Sequence, residues 1–189
     1  MAEAHVAIIL AAGASTRLGH PKQLLEINGV PLLRRATLAA LATQPRLTLV
    51  ALGAEIAGSR AALAGLPVTI LEVKNWNFGM GATLAAAVSA IEDHGSALLV
   101  LGVDQPALDA AHLSQLLAAW RHAPTHAVAS AYSGVLGTPA VFPASWRGPL
   151  CTLKGDLGAR DLLRAAALDV IALAAPQLAL DIDRPEDWK

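Results

Sequence analysis

Residues 5–25, HVAIILAAGASTRLGHPKQLL, hold more information than any other stretch of the chain. Residues 5–10 form a short apolar run followed by small residues, and they read as a β-strand. The segment 10–25 then reads as a loop with a ligand to bind. Ala11, Ala12, Gly13 and Ala14 let the backbone come close to that ligand. Gly13 and Gly19 tolerate positive φ, so successive amide N–H groups can converge on phosphate oxygens. Arg17 and Lys22 add two positive charges to the same loop. Neither G-x-G-x-x-G nor G-x-x-x-x-G-K-[ST] is present, which excludes the dinucleotide fingerprint and the P-loop as the means of holding phosphate. The plainer reading of a lone Gly-rich stretch is an ordinary β-to-α connection with solvated charges.

Outward from this stretch, apolar runs of strand length recur at 46–52, 67–71, 97–101 and 126–131. Between them, segments 31–43, 55–64, 81–94 and 110–122 space their apolar residues three or four apart, as amphipathic helices do. Such βαβα alternation predicts an α/β fold in three layers. A mainly parallel sheet carries helices on both faces, with ligands at the carboxyl ends of the strands. The last third is broken by Gly and Pro, although 140–142 and 178–182 still look like strands. No repeat, low-complexity tract or linker divides the chain, so residues 1–189 are expected to form one domain, with the last third walling the cleft.

Composition narrows the function. The chain has 189 residues, 54% of them hydrophobic and 15% charged, which provides ample core and excludes disorder. Fourteen Lys and Arg against 15 Asp and Glu leave a net charge of −1, so there is no broad basic field for nucleic acid or an anionic membrane. An anionic ligand must therefore be held by local geometry. Mean hydropathy is +0.49, yet no apolar run approaches the roughly 18 residues of a spanning helix. Residues 6–12 lack the basic flank of a signal peptide, and Glu3 has the wrong sign. The lone Cys151 cannot form an internal disulfide, which suits a reducing compartment, so a cytoplasmic location is expected. The six histidines show no metal-binding spacing, Ser15 and Ser133 have no triad partners, and the four tryptophans lack basic stripes.

Several motifs together carry a family resemblance. The loop of residues 10–25 resembles the signature of the nucleotidyltransferases of the molybdenum-cofactor group, in particular the CTP:molybdopterin cytidylyltransferases. So do GMGATL at 79–84, LGVDQPAL at 101–108 and DIDRPEDW at 181–188, while GTPAVF at 137–142 and GDLGAR at 155–160 resemble that family's acceptor side. The chain departs from the pattern at Leu18, where the family often has Met, and at Thr138, where the cytidylyltransferases often have His. The resemblance implies a Rossmann-like nucleotidyltransferase fold, Mg²⁺ as cofactor, CTP as donor and molybdopterin cofactor as the phosphorylated acceptor. It also implies a molybdenum hydroxylase apo-enzyme as partner. Related activities in view are a GTP-using guanylyltransferase and a sugar- or alditol-phosphate nucleotidyltransferase. A non-catalytic maturation factor is the reading from another class.

Nucleotidyl transfer brings an acceptor phosphate to the α-phosphorus of a nucleoside triphosphate, so two anions must meet while charge moves onto departing pyrophosphate. The resemblance assigns Leu10, Ala11, Ala12, Gly13, Ala14 and Ser15 to nucleotide binding, and Arg17 and Lys22 to the phosphates. Asp104 follows the apolar run 97–101, is ionised at neutral pH and suits Mg²⁺, which takes one or two carboxylates. The resemblance places Asp183 beside it. Asp181, sharing its face of a strand, is the competing ligand, and a helix cap is the structural alternative for Asp183. Gly79, Met80, Gly81 and Thr83 are expected against the base or ribose, with a plain helix start as the alternative. Thr138, Pro139, Asp156 and Arg160 are expected at the acceptor, with Lys154 nearby. In the related guanylyltransferases Gly commonly stands in place of Ala12, which implies CTP over GTP.

Overall fold

The computed structural model describes residues 4–16, 18–91 and 97–187. The expected alternation is present: β1 (His5–Ala11), β2 (Glu26–Ile27), β3 (Val30–Pro31), α1 (Leu32–Leu41), β4 (Leu47–Leu52), α2 (Ile56–Ala62), β5 (Thr69–Glu72), α3 (Met80–Ser89), β6 (Ala97–Leu101) and α4 (Ala110–His122). There follow β7 (Ala127–Tyr132), β8 (Val135–Pro143), α5 (Arg147–Cys151), α6 (Ala159–Ala165) and β9 (Val170–Ala174). Among the described residues, seven strands form the sheet in the order β5-β4-β1-β6-β8-β7-β9. Only β8 runs antiparallel, between β6 and β7, while β2 and β3 make a small separate hairpin. This is a Rossmann-like three-layer α/β fold.

Strand periodicity explains the two faces. Ala7, Ile9 and Ala11 of β1 point to one side with Val50, Leu52, Leu99 and Leu101, and meet Leu33 and Ala36 of α1 and Leu113, Leu116 and Trp120 of α4. Val6 and Ile8 point to the other with Ala51, Leu98 and Val100, against Leu84 and Val88 of α3, Leu150 of α5 and Leu163 of α6. With both faces covered, β1 and β6 read as continuous apolar runs. The connection after β1 crosses on one face to β4, and α3 returns to β6 on the other. The crevice between the carboxyl ends of β1 and β6 is therefore the point at which strand order reverses, where ligands bind in such sheets.

One expectation about the last third needs correction. Residues 178–182 are not a strand: a 3₁₀ turn covers Pro176–Ala179 and the chain beyond it is irregular. The final strand is instead β9, pairing parallel with β7 from Ala127↔Val170 to Ala131↔Ala174. The strand at 140–142 is the inner part of the nine-residue β8, which turns back from β7 through Ser133 and Gly134, both at positive φ as a tight hairpin requires. No helix among the described residues is long and apolar enough to cross a membrane.

Candidate active site

The loop after β1 folds onto Ser15, which sits at φ 51. Its carbonyl accepts the amides of Leu18 and Gly19 at 3.0 and 3.2 Å, and its Oγ accepts the Lys22 amide at 3.0 Å. Buried Gln23 donates from Nε2 to the Gly13 carbonyl at 3.4 Å. These bonds turn the loop into a lip, with Lys22 and Gln23 beneath it on a short 3₁₀ turn (Lys22–Leu24). A Cβ built on Gly13 meets nothing within 4 Å, so this part of the lip faces open space. At Gly53, behind the lip, the same atom would lie 2.7 Å from the Ala12 carbonyl oxygen, which accepts the Ala54 amide at 3.0 Å.

Asp104 leaves the carboxyl end of β6 and meets Lys22 beneath this lip. Lys22 Nζ donates to Asp104 Oδ2 at 2.9 Å and to Asp183 Oδ1 at 2.8 Å, so two carboxylates remote in sequence converge on one cation. The C-terminal segment is brought there by its backbone: the Ile182 amide donates to the Asp104 carbonyl at 2.9 Å, and Gln105 Nε2 to the Leu178 carbonyl at 3.1 Å. Ile182 itself is buried with Leu18 and Leu32, which turns its two neighbours, Asp181 and Asp183, to the cleft. Burial opposes the charge on Lys22, but the carboxylates of Asp104 and Asp183 outweigh it and hold its pKa above the ordinary value. Asp181 is pushed up to about 6, first by burial and then by the charge of Asp104, with Arg160 opposing. The backbone of Asp183 is held from the segment that follows it: Asp187 Oδ2 accepts the amides of Asp183 and Arg184 at 3.1 and 2.9 Å.

The opposite wall comes from α3, β7, β8 and α6. Gly79, at φ 107, and Gly81 let the start of α3 lie against residues 155–157: a Cβ on Gly79 would sit 2.4 Å from the Gly155 oxygen, and one on Gly81 2.2 Å from the Leu157 oxygen. The Gly81 amide donates to the Gly155 carbonyl at 2.8 Å, and Thr83 Oγ1 donates back to the Gly79 carbonyl at 3.3 Å. Tyr132 donates its hydroxyl to the Thr138 carbonyl at 2.9 Å and accepts from Arg160 Nη2 at 3.4 Å. Behind them, Ser130 donates to the Pro139 carbonyl at 2.7 Å, so its oxygen accepts from His112 Nε2 at 2.8 Å. Burial lowers the pKa of His112, which suits a neutral imidazole in this relay.

The resulting cleft holds about 670 Å³. Of the residues singled out in the sequence, Leu10 through Ser15, Lys22, Gly79, Met80, Thr83, Asp104, Thr138, Asp156, Arg160 and Asp183 line it. Gly81 and Pro139 do not: the first serves the contact with residues 155–157, and the second follows a cis Thr138–Pro139 bond and offers its carbonyl inward. Arg17 lies outside the described residues. Lys154 lines a separate shallow groove on the outside of α3. Sequence reasoning missed Tyr132, Gln23 and Gln105. A lone Tyr ending a strand gives no signal, and both glutamines act through bonds that only the fold creates.

Among the described residues, five carboxylates line the cleft (Asp104, Asp156, Asp161, Asp181 and Asp183) against the two cations Lys22 and Arg160. A triphosphate would enter against this charge unless divalent cations accompanied it. No group of three or more His, Cys, Asp or Glu among these residues could hold a metal alone. The pair Asp104 and Asp183 nevertheless suits Mg²⁺, which completes its shell with phosphate oxygens and water, and their common grip on one ammonium shows that both oxygens reach a single cation.

Two carboxylates that converge on one cation beneath a Gly-rich lip suit a nucleotidyltransferase, and that class is shown by similarity to known proteins. The family model for the MobA-like NTP transferase domain matches residues 7–170, and the chain belongs to that family. It is 28% identical to the purine catabolism protein PucB of Bacillus subtilis over 97% of this chain and 93% of that one. Rv0371c of Mycobacterium tuberculosis superposes with a TM-score of 0.85 at 26% identity, covering 100% of this chain and 97% of the other. A second structure of Rv0371c, in complex with manganese, gives 0.81 at 25% identity over 98% and 96%.

Proposed function

We propose that the chain transfers CMP from CTP to the terminal phosphate of molybdopterin cofactor with Mg²⁺, and that its product serves a molybdenum hydroxylase apo-enzyme. A phosphate oxygen of the acceptor attacks the α-phosphorus. The bond from that phosphorus to the bridging oxygen breaks, and pyrophosphate leaves with the electron pair. Because the acceptor is already an anionic phosphate, no general base is needed, which suits a cleft lined by no histidine among the described residues, with His112 behind its wall committed to Ser130. Bound Mg²⁺ would supply charge neutralisation at the phosphates, with Asp104 and Asp183 as its protein ligands.

The observation that carries this reading is the convergence of Asp104 and Asp183 on one cation beneath the lip of residues 10–15. The lip would hold the triphosphate through its amides, with Lys22 and Arg17 against the phosphates. Thr138, Asp156 and Arg160 would meet the acceptor. The manganese complex of Rv0371c supports a divalent cation in this family. Ala12, which lines the cleft, supports a one-ring base, because Gly in its place would widen the pocket beside the base.

Pyrophosphate release measured with CTP, GTP, ATP and UTP, with and without molybdopterin cofactor, tests the proposal. Release should require CTP, a divalent cation and the acceptor together. Equal use of GTP would refute the choice of base, and equal release without the acceptor would refute the choice of acceptor.

A further inference from the structure

We propose that Lys22 occupies the metal position in the nucleotide-free protein, so that the divalent cation enters only with, or after, the phosphates that draw Lys22 away. The inference rests on the reading of Asp104 and Asp183 as metal ligands and adds an order of events to it.

Three observations carry it. First, the ammonium is seated between the two carboxylates: Nζ lies 2.9 Å from Asp104 Oδ2 and 2.8 Å from Asp183 Oδ1, each a charge-assisted hydrogen bond. Second, the seat is held from behind. The Lys22 amide is fixed to Ser15 Oγ, and the Asp104 backbone is fixed to Ile182, so these three side chains are delivered to one point by the fold. Third, the Lys22 side chain is only 20% exposed and that of Asp104 24%, so water screens the pair less than it would on an open surface. A dication approaching the bare protein must displace an ammonium that already bonds one oxygen of each carboxylate. A polyphosphate offers that ammonium a competing anion under the lip and leaves the carboxylates to the metal. Metal and phosphate then bind with positive coupling, and by linkage each raises the affinity of the other.

Manganese binding, followed through the electron paramagnetic resonance signal of the free ion, reads this without turnover. In nucleotide-free protein, Lys22→Met and Lys22→Gln should bind Mn²⁺ about ten-fold or more tightly than the parent, equivalent to ~1.4 kcal/mol. Asp104→Asn in the Lys22→Met background should abolish the gain. Arg160→Met removes another cation of the cleft that does not bridge these carboxylates and should give no comparable gain. Inorganic pyrophosphate should raise the amount of Mn²⁺ held by the parent far more than by Lys22→Met. Equal Mn²⁺ affinity in the parent and both Lys22 variants, with Asp104→Asn weakening all of them, would overturn the occupancy and leave the metal ligands standing. An equal gain from Arg160→Met would reduce the effect to net charge and overturn it as well. Indifference of Mn²⁺ to Asp104→Asn in every background, with or without pyrophosphate, would sink the metal reading and this inference with it.

Discussion

Gly81→Ala distinguishes local propensity from tertiary contact, because the two give opposite signs. Gly81 lies in the first turn of α3, where Ala should stabilise a helix by about 1 kcal/mol. The fold puts backbone in the way: the new Cβ would lie 2.2 Å from the Leu157 carbonyl oxygen and 3.0 Å from that of Gly155. Restoring ordinary contact means moving a backbone segment by roughly 1 Å, and overpacking of this kind costs about 1–3 kcal/mol. The shift also weakens the 2.8 Å bond from the Gly81 amide to Gly155, for about 1 kcal/mol more. After the propensity gain, a net loss of about 1–3 kcal/mol remains, or a fall in Tm of several degrees in a chain of this size. Urea unfolding of Gly81→Ala beside Gly148→Ala makes the comparison internal. Gly148, in α5, meets nothing within 4 Å beyond its chain neighbours, but Pro149 opposes a Cβ on the helical residue before it and offsets the gain in propensity, so Ala there should change stability by less than about 1 kcal/mol. Because residues 155–157 precede Arg160 and contain Asp156, Gly81→Ala should also lower kcat/KM. A urea midpoint for Gly81→Ala at or above that of the parent would refute the close approach of α3 to this loop.

Other tests address the site and the core. Asp104→Asn should lower divalent-dependent turnover by orders of magnitude with little loss of fold, and Asp183→Ala should do more harm than Asp181→Ala; steady-state rates across a Mg²⁺ titration check both, and the reverse order would make Asp181 the ligand. Tyr132→Phe removes the hydroxyl that bonds Thr138 and meets Arg160, so KM for the acceptor should rise several-fold, about 1 kcal/mol, while KM for the nucleotide holds. His5 is buried against Thr43, and burial, followed by the charge of Arg121, lowers its pKa from 6.5 to about 4. Since the folded value is the lower one, the unfolded chain takes up the proton first. The stability His5 contributes is complete above about pH 6.5 and is lost as pH falls toward 4, up to about 3 kcal/mol. Unfolding midpoints at pH 7.5 and 4.5 should therefore differ less in His5→Gln than in the parent.

Apart from the small β2–β3 hairpin, the strands and helices through residue 132 were legible because each is a local pattern. β1 and β6 are apolar runs of strand length, α1 to α4 repeat at helical spacing, and the segment after β1 carries small residues where backbone must approach a ligand. Asp104 was legible from the family resemblance of residues 101–108 together with its place after an apolar strand; its residue type alone reads as a cap or turn. The tertiary structure decided what depends on contacts between distant segments. β8 enters the sheet antiparallel between β6 and β7, and β9 pairs at its edge, because hydrogen bonds to neighbouring strands recruit segments whose own spacing is weak. Asp181 and Asp183 reach the cleft through no strand of their own. One backbone bond from Ile182 to Asp104 and the burial of Ile182 turn both carboxylates inward. Gly79 and Gly81 read equally well as a helix start or a nucleotide contact until residues 155–157 are seen against them. The grip of Lys22 on both acids is likewise a property of the fold, because sequence spacing carries no information about which charges meet when more than a hundred residues of chain lie between two of them.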